Sequence, residues 1–261
     1  MSTSPPETPA PSPVVAHRGA WKALALPQNS LAALRHAVAL GCGGSEFDVR
    51  LTADDTLVVT HDPEYAGLPV GEHAYAELAA TPLPNGETLP TLRAYLREGL
   101  RQNRRAVLRG APATTLVCEV KPDGADPGRG LRAARLAVDL VAELGARRQT
   151  VYISFGYDIC GEIVRRDPGA HVQYLGGDRT PAECAADGLA GLDYHFSVFR
   201  EHPSYIPEAK ALGLALNAWT VNDSADVAWL LAEGFDYVTT DEPELAGRLA
   251  ESARAGETAR R

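Results

Sequence analysis

The sequence predicts an α/β protein of the (β/α)8 TIM-barrel class. Three observations carry that expectation: the length and apolar content of the chain, a repeated alternation of short apolar runs with amphipathic stretches, and the absence of a dinucleotide fingerprint. A chain of 261 residues, 45% of them hydrophobic, can hold one sizeable core, and barrels of alternating strands and helices reach this length as single domains. From Val14 onward, apolar runs of strand length are each followed by apolar residues at helical spacing, the pattern of βα units in a parallel sheet. An open doubly wound sheet would alternate similarly, but its glycine-rich turn links a strand to a helix. Here the cluster Gly41-Cys42-Gly43-Gly44 precedes a strand and reads as a helix stop and turn.

Taken in order, residues 1–13 are rich in Ser, Thr and Pro but lack both a basic start and an apolar stretch, so a flexible tail is expected rather than a signal peptide or anchor. A first strand over 14–17, a helix over 29–40 and a second strand over 45–49 follow. After a short apolar run at 56–60, the stretch 62–114 breaks the rhythm with Pro69, Pro82, Pro84 and the turn Asn85-Gly86, then recovers a helix at about 91–102. It reads as an insertion between the second and third barrel strands, on the face where βα loops build active sites. The remaining strands are expected at 116–121, 150–154, 171–175, 192–196, 214–219 and 235–239, with helices at 130–144, 223–232 and 243–253 among them. Eight strands imply closure, and residues 14–261 are expected to form a single domain.

A formal net charge of −9 gives no overall electrostatic reason to bind nucleic acid or an anionic membrane surface. No run of about 18 apolar residues occurs, so no membrane span is expected and a cytoplasmic location is the simplest reading. Cys42, Cys118, Cys160 and Cys184 are scattered without metal-site spacing and read as reduced, mostly buried thiols. Oligomeric state leaves no trace in the pattern.

The chemistry-bearing residues fall at strand ends. In Ser45-Glu46-Phe47-Asp48-Val49 the two acids share one strand face. On an inward face they would repel and desolvate each other unless a cation or proton intervened, which makes a metal site one solution; a surface strand with two solvated acids is the other. Cys118-Glu119-Val120-Lys121 repeats the alternation, so Glu119 is either a third ligand or half of a structural ion pair with Lys121. Three carboxylates without Cys or His-x-His favour a hard divalent cation, Mg2+ or Ca2+, with Mn2+ also allowed. His17 and His61 end two apolar runs, and two imidazoles can divide the base and acid tasks of cleaving a phosphodiester. Arg18 and Lys121 are placed to hold phosphate oxygens, and together with the cation they would reverse the sign of an acidic site. His36, His73 and His202 read as ordinary surface or hydrogen-bonded residues.

This ordered set resembles the glycerophosphodiester phosphodiesterase family. The matching pieces are Ala16-His17-Arg18-Gly19, Pro27-Gln28-Asn29-Ser30, Ser45-Glu46-Phe47-Asp48-Val49, Leu51-Thr52-Ala53-Asp54, His61-Asp62 and Leu89-Pro90-Thr91-Leu92. They continue with Glu119-Val120-Lys121, Ile153-Ser154-Phe155, Asn217-Ala218-Trp219-Thr220-Val221-Asn222 and Thr239-Thr240-Asp241, spanning nearly the whole chain after the tail. The resemblance implies a catalytic acid and base pair in His17 and His61, metal ligands in Glu46, Asp48 and Glu119, and phosphate contacts from Arg18 and Lys121. It also implies an aromatic wall from Trp219, a residue that core packing would equally explain. One departure is Gln28, where the family usually has Glu; Asn29 beside it can cap the following helix. Tyr174, Tyr194 and His195 are further groups at strand ends, suited either to the alcohol head group or to packing.

The resemblance implies hydrolysis of a small-molecule glycerophosphodiester to glycerol 3-phosphate and an alcohol. An intact lysophospholipid or sphingolipid as substrate, and a protein that binds glycerophosphodiesters without cleaving them, are the competing readings.

Overall fold

The protein is described by a computed structural model over residues 11–258. The chain runs β1 (Val14–Ala16), α1 (Leu31–Ala39), β2 (Gly44–Leu51), β3 (Leu57–Val59), β4 (Glu64–Tyr65), β5 (Leu68–Pro69), α2 (Tyr75–Leu78) and α3 (Leu92–Leu108). It continues through β6 (Thr115–Val120), α4 (Pro127–Glu143), β7 (Thr150–Ser154), α5 (Tyr157–Arg166), β8 (His171–Tyr174) and α6 (Pro181–Ala186). The last elements are β9 (Gly191–His195), α7 (Phe196–Glu201), α8 (Tyr205–Ala211), β10 (Ala215–Trp219), α9 (Ser224–Ala232), β11 (Tyr237–Thr240) and α10 (Pro243–Thr258).

Eight parallel strands close into a barrel, in the order β1-β2-β6-β7-β8-β9-β10-β11, with β11 returning to β1 through Val14 opposite Val238. Side-chain alternation divides the core into two layers. Phe47, Val49, Leu116, Cys118, Tyr152, Val172, Leu192 and Leu216 point outward to the helices, whereas Val15, Val117, Ile153 and Leu175 fill the barrel interior. Above that apolar floor the same inward phase presents polar groups: Glu46, Asp48, Glu119, Lys121, Asp193 and Asn217, all buried. Strand β6 shows the change directly: inward Val117 belongs to the apolar interior, and Glu119 and Lys121 follow two and four residues further along the same face.

Each expected strand is present within two residues of its expected start. Gly44 corrects the reading of the glycine cluster as a turn. It opens β2, where an added Cβ would lie 2.8 Å from the Val15 side chain and 3.3 Å from that of Val117. Only Gly41, at φ +72°, stops the helix. Within the tail expected over 1–13, residues 1–10 lie outside the described residues, while Pro13 is tied down by the Val238 amide, which donates to its carbonyl at 2.8 Å.

The stretch 62–114 resolves into two parts. Helix α3 extends beyond its expected end and packs between α1 and α4 in the outer ring, so it is the second helix of the βα rhythm. The excursion before it carries the β4–β5 ribbon and α2 over a small core of Val58, Val70, Leu78 and Leu89. Strand β3 pairs antiparallel with Val49–Leu51, on the edge of β2 that β1 has left, and the Thr60 amide donates to the Asp48 carbonyl at 3.0 Å. That pairing lifts His61 over the barrel mouth. The four cysteines are free and buried, and no described helix is long and apolar enough to cross a membrane.

Candidate active site

A cavity of about 170 Å3 at the mouth is lined by His17, Arg18, Glu46, His61, Glu119, Lys121, Ile153, Phe155, Leu175, Asp193, Trp219, Thr220 and Thr239. Seven of the residues singled out from sequence thus line one space; Asp48, the eighth, lies just behind it, 1% exposed and ion-paired to Lys121.

The acidic centre comes from two adjacent strands in register, with Asp48 of β2 opposite Glu119 of β6. Glu46, Asp48 and Glu119 each offer an oxygen within 4.8 Å of the others. Lys121 bridges two of them, its Nζ 2.7 Å from Asp48 Oδ1 and 2.7 Å from Glu119 Oε1. Burial, followed by repulsion from Asp48 and Glu119, drives the Glu46 carboxyl well above its ordinary value. Glu119 is pushed up to about 7 by burial, against the opposing pull of Lys121. Burial would raise Asp48 too, but Lys121, Asn29 and Arg18 offset it and hold its carboxyl below the usual range. Glu46 Oε1 is buried without a hydrogen-bond partner among the described residues, while its Oε2 accepts from the Arg18 amide at 2.8 Å. An orphaned buried oxygen inside a triad of acids fits a divalent cation, which would supply the missing partner and quench the repulsion.

The two histidines are held alike. His17 Nδ1 lies 2.8 Å from Asp241 Oδ1, and His61 Nδ1 lies 2.7 Å from Asp62 Oδ1. Each carboxylate fixes Nδ1 as the protonated ring nitrogen and leaves Nε2 for exchange with a ligand. Burial lowers the affinity of His61 for a proton, so its ring is neutral near pH 7. Asp241 is itself anchored, its Oδ2 accepting from Asn222 Nδ2 at 2.9 Å. Burial would raise its carboxyl, yet the hydrogen bonds from His17 and Asn222 hold it below the ordinary value. Arg18 takes a positive φ of 54°, donates from Nη1 to Gln28 Oε1 at 2.9 Å and stands 3.5 Å from Asp48 Oδ2 through Nε. Gln28 therefore still accepts from the arginine, but without charge.

Asn29 is not the helix cap. Ser30 performs that task, its hydroxyl accepting from the Ala33 amide. Asn29, at φ +60° and buried, instead donates to Asp48 Oδ2 at 2.8 Å and accepts from the Asp48 amide at 3.1 Å. Tyr174 and Tyr194 point outward into an aromatic cluster with Tyr157 and Phe199, so they pack and do not line the cavity. Three site residues escaped sequence reasoning: Asn29 as the brace of Asp48, Asp241 as the anchor of His17, and Asp193 in the cavity wall. For Asp193 the signal was present, because an acid in the run Leu192-Asp193-Tyr194 has the opposite phase to its outward neighbours. Trp219 borders the cavity, its ring edge-on to Phe155 at 5.3 Å and its Nε1 donating to the Asp193 carbonyl at 2.9 Å.

A closed parallel barrel with paired histidines and a buried acidic triad at its strand ends defines a hydrolase of the phosphodiesterase barrel class. The chain matches the glycerophosphoryl diester phosphodiesterase family over residues 17–245 and belongs to that family. It is 25% identical over 250 residues to the glycerophosphodiester phosphodiesterase of Caldanaerobacter subterraneus subsp. tengcongensis, covering 88% of this chain and 94% of the relative. A glycerophosphodiester phosphodiesterase structure from Parabacteroides distasonis superposes with a TM-score of 0.87 at 38% identity, covering 94% of this chain and 98% of that one. An Oleispira antarctica phosphodiesterase, determined in complex with the product sn-glycerol-3-phosphate, shares the fold with a TM-score of 0.74 at 23% identity, covering 91% and 96% of the two chains.

Proposed function

We propose that this glycerophosphodiester phosphodiesterase works with a divalent cation held by Glu46, Asp48 and Glu119, and moves protons through His17 and His61. The observation that carries the reading is the convergence of two carboxylate-anchored imidazoles and three buried acids on one cavity. The cation, Mg2+ or Ca2+ with Mn2+ also allowed, would act as a Lewis acid on the phosphate.

Arg18 and Lys121 receive the phosphate oxygens. Two of the three ammonium protons of Lys121 face Asp48 and Glu119, which leaves one for the substrate. His61, neutral because of its burial, takes the proton of the attacking hydroxyl at Nε2. His17, held through Nδ1 by Asp241, gives a proton to the leaving alkoxide. The attacking group is water or the substrate's own glycerol hydroxyl, and a cyclic phosphate among the products marks the second route. The excursion over 62–91, part of the expected insertion at 62–114, follows directly on His61 and, through Asp62, holds its ring in this single-domain reading.

A deacylated phospholipid suits the site better than a lysolipid, because the cavity is small and the excursion buries its apolar residues in its own core. The Oleispira relative holds the product this reading expects. The test is release of glycerol 3-phosphate from glycerophosphocholine after chelation and after restoring Mg2+, Ca2+ or Mn2+. Loss and recovery support the reading; undiminished turnover in chelator, or faster cleavage of lysophosphatidylcholine, overturns it.

A further inference from the structure

The mechanism leaves one buried carboxylate unused. Asp193 lies on the inward face of β9, is 1% exposed, and lines the cavity that holds both histidines. Its neighbours fix it from two sides. The Thr239 hydroxyl donates to Asn217 Oδ1 at 3.1 Å, which leaves the Asn217 amide nitrogen to face the neighbouring Asp193 carboxyl. Trp219 Nε1 pins the Asp193 carbonyl at 2.9 Å. Asp193 Oδ1 remains buried with no hydrogen-bond partner among the described residues. A buried acceptor held rigidly and left empty requires a donor from elsewhere. Asp193 stands outside the group of three acids, Glu46, Asp48 and Glu119, whose oxygens lie within 4.8 Å of one another.

We infer that Asp193 is the specificity-determining residue for the glycerol end of the substrate, its Oδ1 accepting a hydrogen bond from a free glycerol hydroxyl. The inference rests on the reading given under Proposed function. Phosphate enters at Arg18 and Lys121, and the glycerol carbons lie against the apolar faces of Phe155 and Trp219 with a hydroxyl reaching Asp193. Asp193 Oδ1 is an acceptor with room for one hydroxyl donor, and its burial leaves no water to take that place. The cavity, about 170 Å3, is smaller than the roughly 300–1,000 Å3 typical of pockets for drug-sized ligands. A glycerol whose hydroxyl carries an acyl chain therefore loses both the hydrogen bond and the room.

The experiment compares binding of sn-glycerol 3-phosphate and n-propyl phosphate, which differ only in hydroxyls, by calorimetry on the full chain with Mg2+ present. The wild type binds glycerol 3-phosphate roughly tenfold or more tightly, as sites built to pair a hydroxyl do. In Asp193→Ala, and in the volume-filling Asp193→Leu, the ratio falls to within about twofold of unity while the affinity for propyl phosphate stays within about threefold of wild type. Equal binding of the two esters by the wild type overturns the inference, as does an unchanged ratio in either folded variant. Failure of the parent reading looks different: neither ester binds and glycerophosphocholine is not turned over.

Discussion

At the scale of single residues, the site separates groups that meet the substrate from groups that aim them. Asp241 belongs to the second kind, because it contacts His17 at Nδ1 and leaves Nε2 free. Asp241→Asn preserves shape but offers an amide where the ring needs an acceptor, so the imidazole is held in the wrong tautomer. We expect kcat to fall roughly 10²-fold or more with KM little changed, and the pH profile to move along with it. A fall in KM-controlled rate alone, with the pH profile unmoved, would assign Asp241 to binding instead. In the proposed mechanism His61 gives the pH dependence its sign. Burial lowers its pKa from the ordinary 6.5, and catalysis as a base needs the neutral ring. The acid limb of kcat/KM assigned to His61 therefore lies below the usual imidazole range, and activity is lost only as pH falls through that depressed value. A profile whose acid limb sits above pH 6.5 in the wild type would contradict the base role of His61.

At the scale of elements, the β1–α1 connection shows how the sequence was legible in part. The strand, the helix and the His17-Arg18 pair at the strand end were readable because strand and helix periods are local properties of the chain. What Asn29 does was not, since its partner Asp48 lies on β2 and the pairing depends on a positive φ that brings the loop back over the barrel. The same limit hid Asp241, which meets His17 only because β11 closes against β1. It hid β3 as well: the run at 56–60 was visible as apolar, but its antiparallel seat on β2 depends on where β1 stops. Gly19 is the hinge point of this connection, with φ +81° and no room for a side chain. An added Cβ would lie 2.7 Å from the Ala33 Cβ and 2.8 Å from its carbonyl carbon. Gly19→Ala should therefore destabilise the fold by about 1–3 kcal/mol and lower the thermal midpoint, with activity falling further because Arg18 is displaced. An unchanged melting curve would show that the loop relaxes without cost.

For the whole molecule, the barrel places stability and chemistry on the same strands at different heights. Val15, Val117, Ile153 and Leu175 pack inside the barrel, and the buried acids share that interior beside and beyond them, where water screens their repulsion poorly. Without a cation, folding must therefore bury Glu46 and Glu119 against the desolvation, and after it the repulsion, that raise both carboxyls. A cation that binds only the folded triad relieves that cost and shifts the unfolding equilibrium by mass action, about 2.7 kcal/mol at a hundredfold excess over its Kd. Thermal unfolding of the chelated protein should accordingly shift upward on titration with Mg2+, Ca2+ or Mn2+. Glu46→Gln separates the two effects, because it removes one charge from the crowded acids and one ligand from the cation. That variant should melt at or above the chelated wild type, yet gain much less from added metal. If instead the wild type melts at the same temperature with and without every ion, the acidic triad is a proton-sharing cluster and the metal reading falls, even with both histidines in place.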